Sequence, residues 1–183
     1  TQVVNYGGVA TLPESITKPG FKFVGWTLNG VAYDVTAVVT DNITIVAAWE
    51  VDLPDLTEIA GTWTGDESVG YTDYSYEFII AANGTITASY NNGYTDVALT
   101  INYVLFDGNV LTINYNAGSI EGANLVFTLS ADKGSLAAEA GVMGTAVTLY
   151  KTFTVTFRAK ATEPGSVDFA INKTGTWGNY SYA

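Results

Sequence analysis

The chain has 183 residues, enough for one ordinary domain or two small ones. Its formal net charge is −11, with seven Lys and Arg against eighteen acidic residues, so it offers no basic footprint for a phosphate backbone or for anionic headgroups. Nucleic acid and acidic membrane surfaces are therefore disfavoured as partners. His and Cys are both absent, which excludes disulfides, the usual zinc ligand sets, Ser-His triads and thiolate nucleophiles.

Hydrophobic residues make up 48% of the chain, so a packed core is within reach. Twelve Tyr, eight Phe and four Trp stand against a single Met, with nineteen Gly as punctuation. Aromatic and β-branched residues suit pleated, half-buried surfaces, so the expectation is an all-β, soluble protein. No apolar run reaches the roughly 18 residues that a membrane span needs. No signal peptide opens the sequence, and Thr1 begins in what reads as the middle of a strand, as in a mature or excised fragment.

Residues 1–50 hold short strand-like runs between strong turn signals. Gln2 to Tyr6 is extended and Gly7-Gly8 breaks it; Pro13 and Pro19-Gly20 flank a loop; Phe21, Phe23 and Trp26 mark a strand with one apolar face. Asn29-Gly30, set between Trp26-Thr27-Leu28 and Val31-Ala32-Tyr33, predicts a two-residue hairpin. Thr44 to Trp49 closes the unit, after Asp41-Asn42 at a turn.

The order and spacing of Tyr6-Gly7-Gly8, Pro13, Lys18-Pro19-Gly20-Phe21, Phe23, Gly25-Trp26, Gly30, Tyr33-Asp34, Val39-Thr40 and Thr44 to Trp49 resemble the Listeria–Bacteroides repeat. That family includes the internalin B-repeat, a small β-grasp module of secreted and wall-attached proteins. The resemblance implies extracellular display, not an activity, and it makes Phe21, Phe23, Gly25, Trp26 and Trp49 core and turn residues. Members usually open with a further strand and a Gly-Gly turn ahead of the segment that Gln2 to Gly8 resembles. The expectation is thus a β-grasp-like module lacking its first strand, with one sheet edge vacant.

Residues 51–57, VDLPDLT, read as a linker, with two Asp, one Pro and no periodicity. Residues 58–151 form a second unit. Gly61-Thr62-Trp63 opens it. Tyr74, Tyr76, Phe78 and Ile80 alternate, and Asn83-Gly84 turns into Thr85 to Tyr90. After Asn91-Asn92-Gly93, the residues Val97, Leu99, Ile101 and Tyr103 alternate again, and Asp107-Gly108-Asn109 leads to Leu111, Ile113 and Tyr115. Leu125, Phe127 and Leu129, then Asp132-Lys133-Gly134 and a run from Thr145 to Lys151, complete about eight strands of an antiparallel meander that curls or closes. The Gly-x-Trp opening, the Asn-Gly hairpin and the closing Leu149-Tyr150-Lys151 resemble small bacterial lipocalin-like domains. That resemblance implies a barrel with Trp63 plugging one end.

Residues 152–183 fit neither unit. Thr152, Phe153, Thr154, Val155, Thr156 and Phe157 alternate without a break, Glu163-Pro164-Gly165 turns, and Val167, Phe169 and Ile171 alternate again. A strong strand with no sheet of its own is marginal in water. The segment is either a donor strand, built on Thr152, Phe153, Val155, Phe157, Val167, Phe169 and Ile171, or the start of a further module.

Without His or Cys, a carboxylate pair is the catalytic option that survives, and Glu77 and Glu121 are the candidates to project from a barrel wall. A solvated strand face explains both, so no catalytic residue and no cofactor is expected. Asp66, Glu67 and Asp73 cluster in a Gly/Ser loop that can be read as a calcium site or as a solvated acidic loop; their spacing fits no EF-type loop, and no metal is expected. Sequons mark Asn42, Asn83, Asn172 and Asn179 as candidate glycosylation sites. Tyr71, Tyr74, Tyr76, Tyr90 and Tyr94 form a tyrosine-rich group suited to glycans or protein partners, unless they are core.

Together these point to a non-catalytic structural or adhesive protein of the cell surface, self-associating or held to other surface proteins, with a filament subunit as the sharper form of that expectation. The alternative is a secreted lipocalin-like module that binds a small ligand or a glycan.

Overall fold

The structure is a computed structural model and describes residues 1–14 and 16–154. Residues 1 to 153 form one compact, nearly all-β unit. Its first part holds β1 (Gly8–Val9), β2 (Phe21–Leu28), β3 (Val31–Ala32), β4 (Val38–Val39) and β5 (Ile45–Val51). β1 pairs with β4, and a separate three-stranded sheet runs in the order β3-β2-β5. The Asn29-Gly30 hairpin forms as the sequence predicts: both residues have positive φ, 54° and 80°, and Leu28 pairs with Val31.

A bulge between Phe23 and Gly25 in the β2–β5 ladder shifts the alternation by one residue. The shift puts Phe23 and Trp26 on one face with Trp49, where the Phe23 ring meets the two indoles edge-to-face at 5.4 and 5.6 Å. This face is small. No hydrophobic residue described in 1–50 is fully buried, and Val3, Tyr6, Val24, Val31 and Val46 are exposed. The module meets the second part of the chain closely at Gly20, where a Cβ would fall 2.2 Å from the Cβ of Tyr103. That approach, together with a φ of +73°, admits only glycine.

The second part is a closed, eight-stranded antiparallel barrel. Its strands are β6 (Gly61–Val69), β7 (Thr72–Ile80), β8 (Ile86–Asn91), β9 (Asp96–Asp107), β10 (Val110–Ala117), β11 (Ile120–Leu129), β12 (Ser135–Ala138) and β13 (Val147–Thr152). Each strand pairs with its neighbours in sequence, and β13 closes the ring on β6. The core is continuous through the barrel interior, from Trp63 and Phe78 to Leu111, Ile113, Phe127 and Leu149. Phe78 and Phe127 lie on strands four places apart in the ring of eight, so they project from opposite walls; their rings touch at 5.7 Å. A barrel of this size is just wide enough for side chains to fill, and here they do.

One end is plugged from outside the expected domain limits. Leu56, placed by composition in the linker, is completely buried, as is Ile59 in the 3₁₀ turn Thr57–Ile59. Trp63 Nε1 donates to the Ile59 carbonyl at 2.8 Å, which anchors this plug to the first barrel strand. At the other boundary, Thr152, which the sequence pattern assigns to the tail, ends β13: it pairs with Thr62, and its hydroxyl donates to the Thr62 carbonyl. The alternation that reads forward into the tail therefore starts within the barrel.

Candidate functional site

In an up-and-down barrel the connections alternate between two ends. The turns at 70–71, 92–95 and 118–119 and the 139–146 connection therefore share the end opposite the Leu56–Trp63 plug. All five tyrosines singled out in the sequence come to this end. Tyr71 and Tyr94 stand on hairpin tips with fully exposed rings. Tyr74 and Tyr90 are half-buried on the inner wall with ring centroids 6.3 Å apart, and Tyr76 lies deeper, 6.0 Å from Tyr90. Tyr115, on β10, is buried as well.

Beside the inner tyrosines, level with Tyr74 on the neighbouring strand, sits a buried carboxylate. Asp66, Glu67 and Asp73 do not form a loop cluster, because residues 61–69 are strand β6 and alternation sends neighbouring side chains to opposite faces. Asp66 is exposed, and Asp73 is exposed and accepts from the Ser68 hydroxyl, whereas Glu67 is 0% exposed. The Glu67 carboxylate accepts from the Tyr76 hydroxyl, from the Met143 and Thr145 amides at 3.1 and 2.7 Å, and from the Thr145 hydroxyl at 3.0 Å. The Tyr76 oxygen in turn accepts from the Val142 amide. The result is a clamp that draws the 139–146 connection over the barrel end.

Burial raises the Glu67 carboxyl, but the hydrogen bonds from Tyr76, Met143 and Thr145 outweigh it and hold the group below the ordinary glutamate range. Tyr76 is pushed far above the ordinary phenol range by burial, by its bond to Glu67 and by the Glu67 charge. Tyr115 is raised by burial and then by the Glu67 charge and Tyr90. Gly141 belongs to the same arrangement, since a Cβ there would lie 2.3 Å from a Glu67 carboxylate oxygen.

The remaining candidates do not converge. Glu77 and Glu121 are both exposed, and β7 and β11 are on opposite sides of the barrel, so they do not face each other across a cleft. Asn42 and Asn83 lie at exposed turns, with the Asn83 side-chain oxygen accepting from the Thr85 amide and hydroxyl. Phe153 is exposed; Val155, Phe157, Val167, Phe169, Ile171, Asn172 and Asn179 lie outside the described residues. Among the described residues no three acidic groups come together as a metal would require, and no helix is long and apolar enough to cross a membrane.

A second feature is the β5 edge. Among the described residues β5 pairs with β2 alone, so its other side presents unpaired backbone along a seven-residue strand. On the other side of the same sheet, just after β3, the hydroxyl of Tyr33 is enclosed without a hydrogen-bond partner.

Residues 1–48 match the family model of the Listeria-Bacteroides repeat domain, 48 of the 183 residues, in agreement with the spacing of Gly, Pro and aromatic positions. That repeat family is found in surface proteins, which fits an extracellular role. No curated protein and no solved structure matches the chain.

Proposed function

We propose that the protein is a non-catalytic structural or adhesive component of the cell exterior, and that copies join by donating the alternating segment of sequence that follows the last barrel strand to the β5 edge of the next copy, as an added strand. The observation that carries this reading is the state of the N-terminal module. It has a recognisable repeat sequence, no fully buried hydrophobic side chain among its described residues, and a seven-residue strand paired on one side. An unpaired edge beside apolar surface is an aggregation liability unless something covers it. An added strand supplies ladder hydrogen bonds and alternate side chains to such an edge. The chain carries an alternating Thr/Val/Phe segment directly after its last barrel strand. Donation to the next copy is head-to-tail and need not close, so it builds fibres.

Light scattering and electron microscopy on residues 1–183 and 1–153 test this. The longer chain is expected to form concentration-dependent linear assemblies, and the shorter one to stay monomeric. Identical assemblies from the shorter chain, or a longer chain that is monomeric throughout, would contradict it.

A second reading, the barrel as a binding module, is favoured by the gathering of five tyrosines at one end. The interior contact of Phe78 with Phe127 speaks against a ligand held inside the barrel and leaves the rim as the place to bind.

A further inference from the structure

We infer that the barrel end bearing the Tyr71 and Tyr94 hairpin tips is a platform for a neutral polysaccharide. The inference rests on the reading of the barrel as a binding module and specifies its ligand and its place.

Tyr71 sits in the two-residue turn between β6 and β7, and Tyr94 in the turn between β8 and β9. β7 and β8 are hydrogen-bonded neighbours whose pairing reaches Ser75 and Asn91, so the two tips stand side by side at the rim. Turn positions favour Gly, Asn, Asp and Ser, which bond to their own backbone or tolerate left-handed conformations. A tyrosine ring left wholly in solvent adds nothing to the fold, and here two occupy adjacent tips at 109% and 97% exposure. Tyr74 and Tyr90 extend the aromatic surface inward from the same rim.

Amphipathic rings of this kind offer an apolar face with a polar edge, which is the surface that the C–H faces and hydroxyls of a sugar ring require. Hydroxyl partners stand on the same tips: Asp73 beside Tyr71, and Asn92 and Asp96 beside Tyr94. Asn92 already organises its own turn through the Tyr94 and Thr95 amides, so this tip is pre-shaped.

The charge distribution decides the ligand class. Of the described lysines, Lys18 and Lys22 lie in the N-terminal module, while Lys133 and Lys151 are placed toward the opposite end of the barrel, in the β11–β12 turn and near Trp63. The tyrosine end thus carries Asp66, Asp73, Asp96, Glu121 and the buried Glu67 with no described cation. An anionic glycan, a phosphate or a carboxylate ligand would meet repulsion there. An uncharged polysaccharide would not.

Affinity electrophoresis of residues 1–183 in native gels tests this. Separate gels contain glucomannan, mixed-linkage β-glucan, mannan or polygalacturonate. The proteins compared are the natural chain, the Tyr71→Ala/Tyr94→Ala double variant, and Tyr6→Ala as an exposed-tyrosine control in the other module. Retardation in at least one neutral gel is expected, unchanged in Tyr6→Ala and weakened about tenfold or more in the double variant, as for loss of aromatic anchors. The double variant should keep the natural melting temperature, because both rings are solvent-exposed. Retardation that survives in the double variant overturns the location. Retardation by polygalacturonate alone overturns the neutral ligand but leaves a binding module. No retardation in any gel overturns both. A mobility change that tracks protein concentration without polysaccharide, and that the double variant abolishes, assigns the tips to self-association instead.

Discussion

Replacing Glu67 by Gln removes one charge and changes almost no volume, so it isolates the role of the buried carboxylate. In the natural protein its two oxygens accept four hydrogen bonds, two of them from backbone amides of the 139–146 connection. A carboxamide keeps one acceptor oxygen. Whichever way it turns, its NH₂ group faces either the Met143 or the Thr145 amide, and one buried N–H loses its partner. An orphaned buried donor costs about 1–3 kcal/mol, and the surviving bonds lose the strength that the charge lent them. The sum is about 2–4 kcal/mol, or a melting temperature lower by about 5–15 °C for a unit of this size. Calorimetry at neutral pH reads this directly. The pH dependence adds a sign. The folded-state pKa of Glu67 lies below the ordinary value of 4.5, so its stabilisation is present above that pH and is lost as pH falls through the folded value. The gap between natural protein and Glu67→Gln should therefore be widest near neutrality and narrow on acidification below about pH 4.5. A melting temperature within about 2 °C of the natural one at pH 7, or a gap that does not change with pH, would refute the clamp.

Gly141→Ala should loosen the same clamp sterically. Its Cβ would lie 2.3 Å from a Glu67 oxygen that is hydrogen-bonded in place, so a loss of about 1–3 kcal/mol and faster hydrogen exchange at the Met143 and Thr145 amides are expected. Tyr76→Phe orphans the Val142 amide at a cost of about 1–3 kcal/mol. Because the Tyr76 pKa is raised, its contribution is fully present below pH 10 and is lost as pH rises further, so alkaline unfolding should weaken in the variant; urea titrations from pH 8 to 11 measure it. Gly20→Ala combines a φ of +73° with a clash against Tyr103 and should free the N-terminal module from the barrel. Limited proteolysis should then cut within 51–55 markedly faster while the barrel stays intact.

The legible part of the sequence is local. Asn29-Gly30 dictates its turn through two positive φ values, and the alternation of Tyr74, Tyr76, Phe78 and Ile80 marks a strand with one buried face. The aromatic and Gly spacing of residues 1–48 identifies a repeat without any structure. The hidden part depends on contacts far apart in the chain. Residues 65–70 read as a Gly/Ser loop because their composition is polar, yet Glu67 is buried by partners 76 and 78 residues away. Leu56 carries no periodic signal, since a single plug residue has no period. Strand β12 is four residues of Ser, Leu and Ala and takes its place from β11 and β13 on either side. The five tyrosines are visible in the sequence as a composition; only the alternation of the barrel's ends brings them together.

Strand donation is tested most directly by cross-linking, and a chain without cysteine makes the experiment clean. One chain carries Val46→Cys on the exposed side of β5; the other carries a cysteine placed in turn at Thr154, Val155, Thr156 and Phe157. Paired strands bring opposite Cβ atoms to about 4.5–5.5 Å, close enough for a disulfide at the matching register. Mixing the two singly substituted chains under mild oxidation should give a covalent heterodimer at one or two tail positions of the same parity. Cross-links that form only within a doubly substituted chain, or at no tail position, would contradict donation between copies.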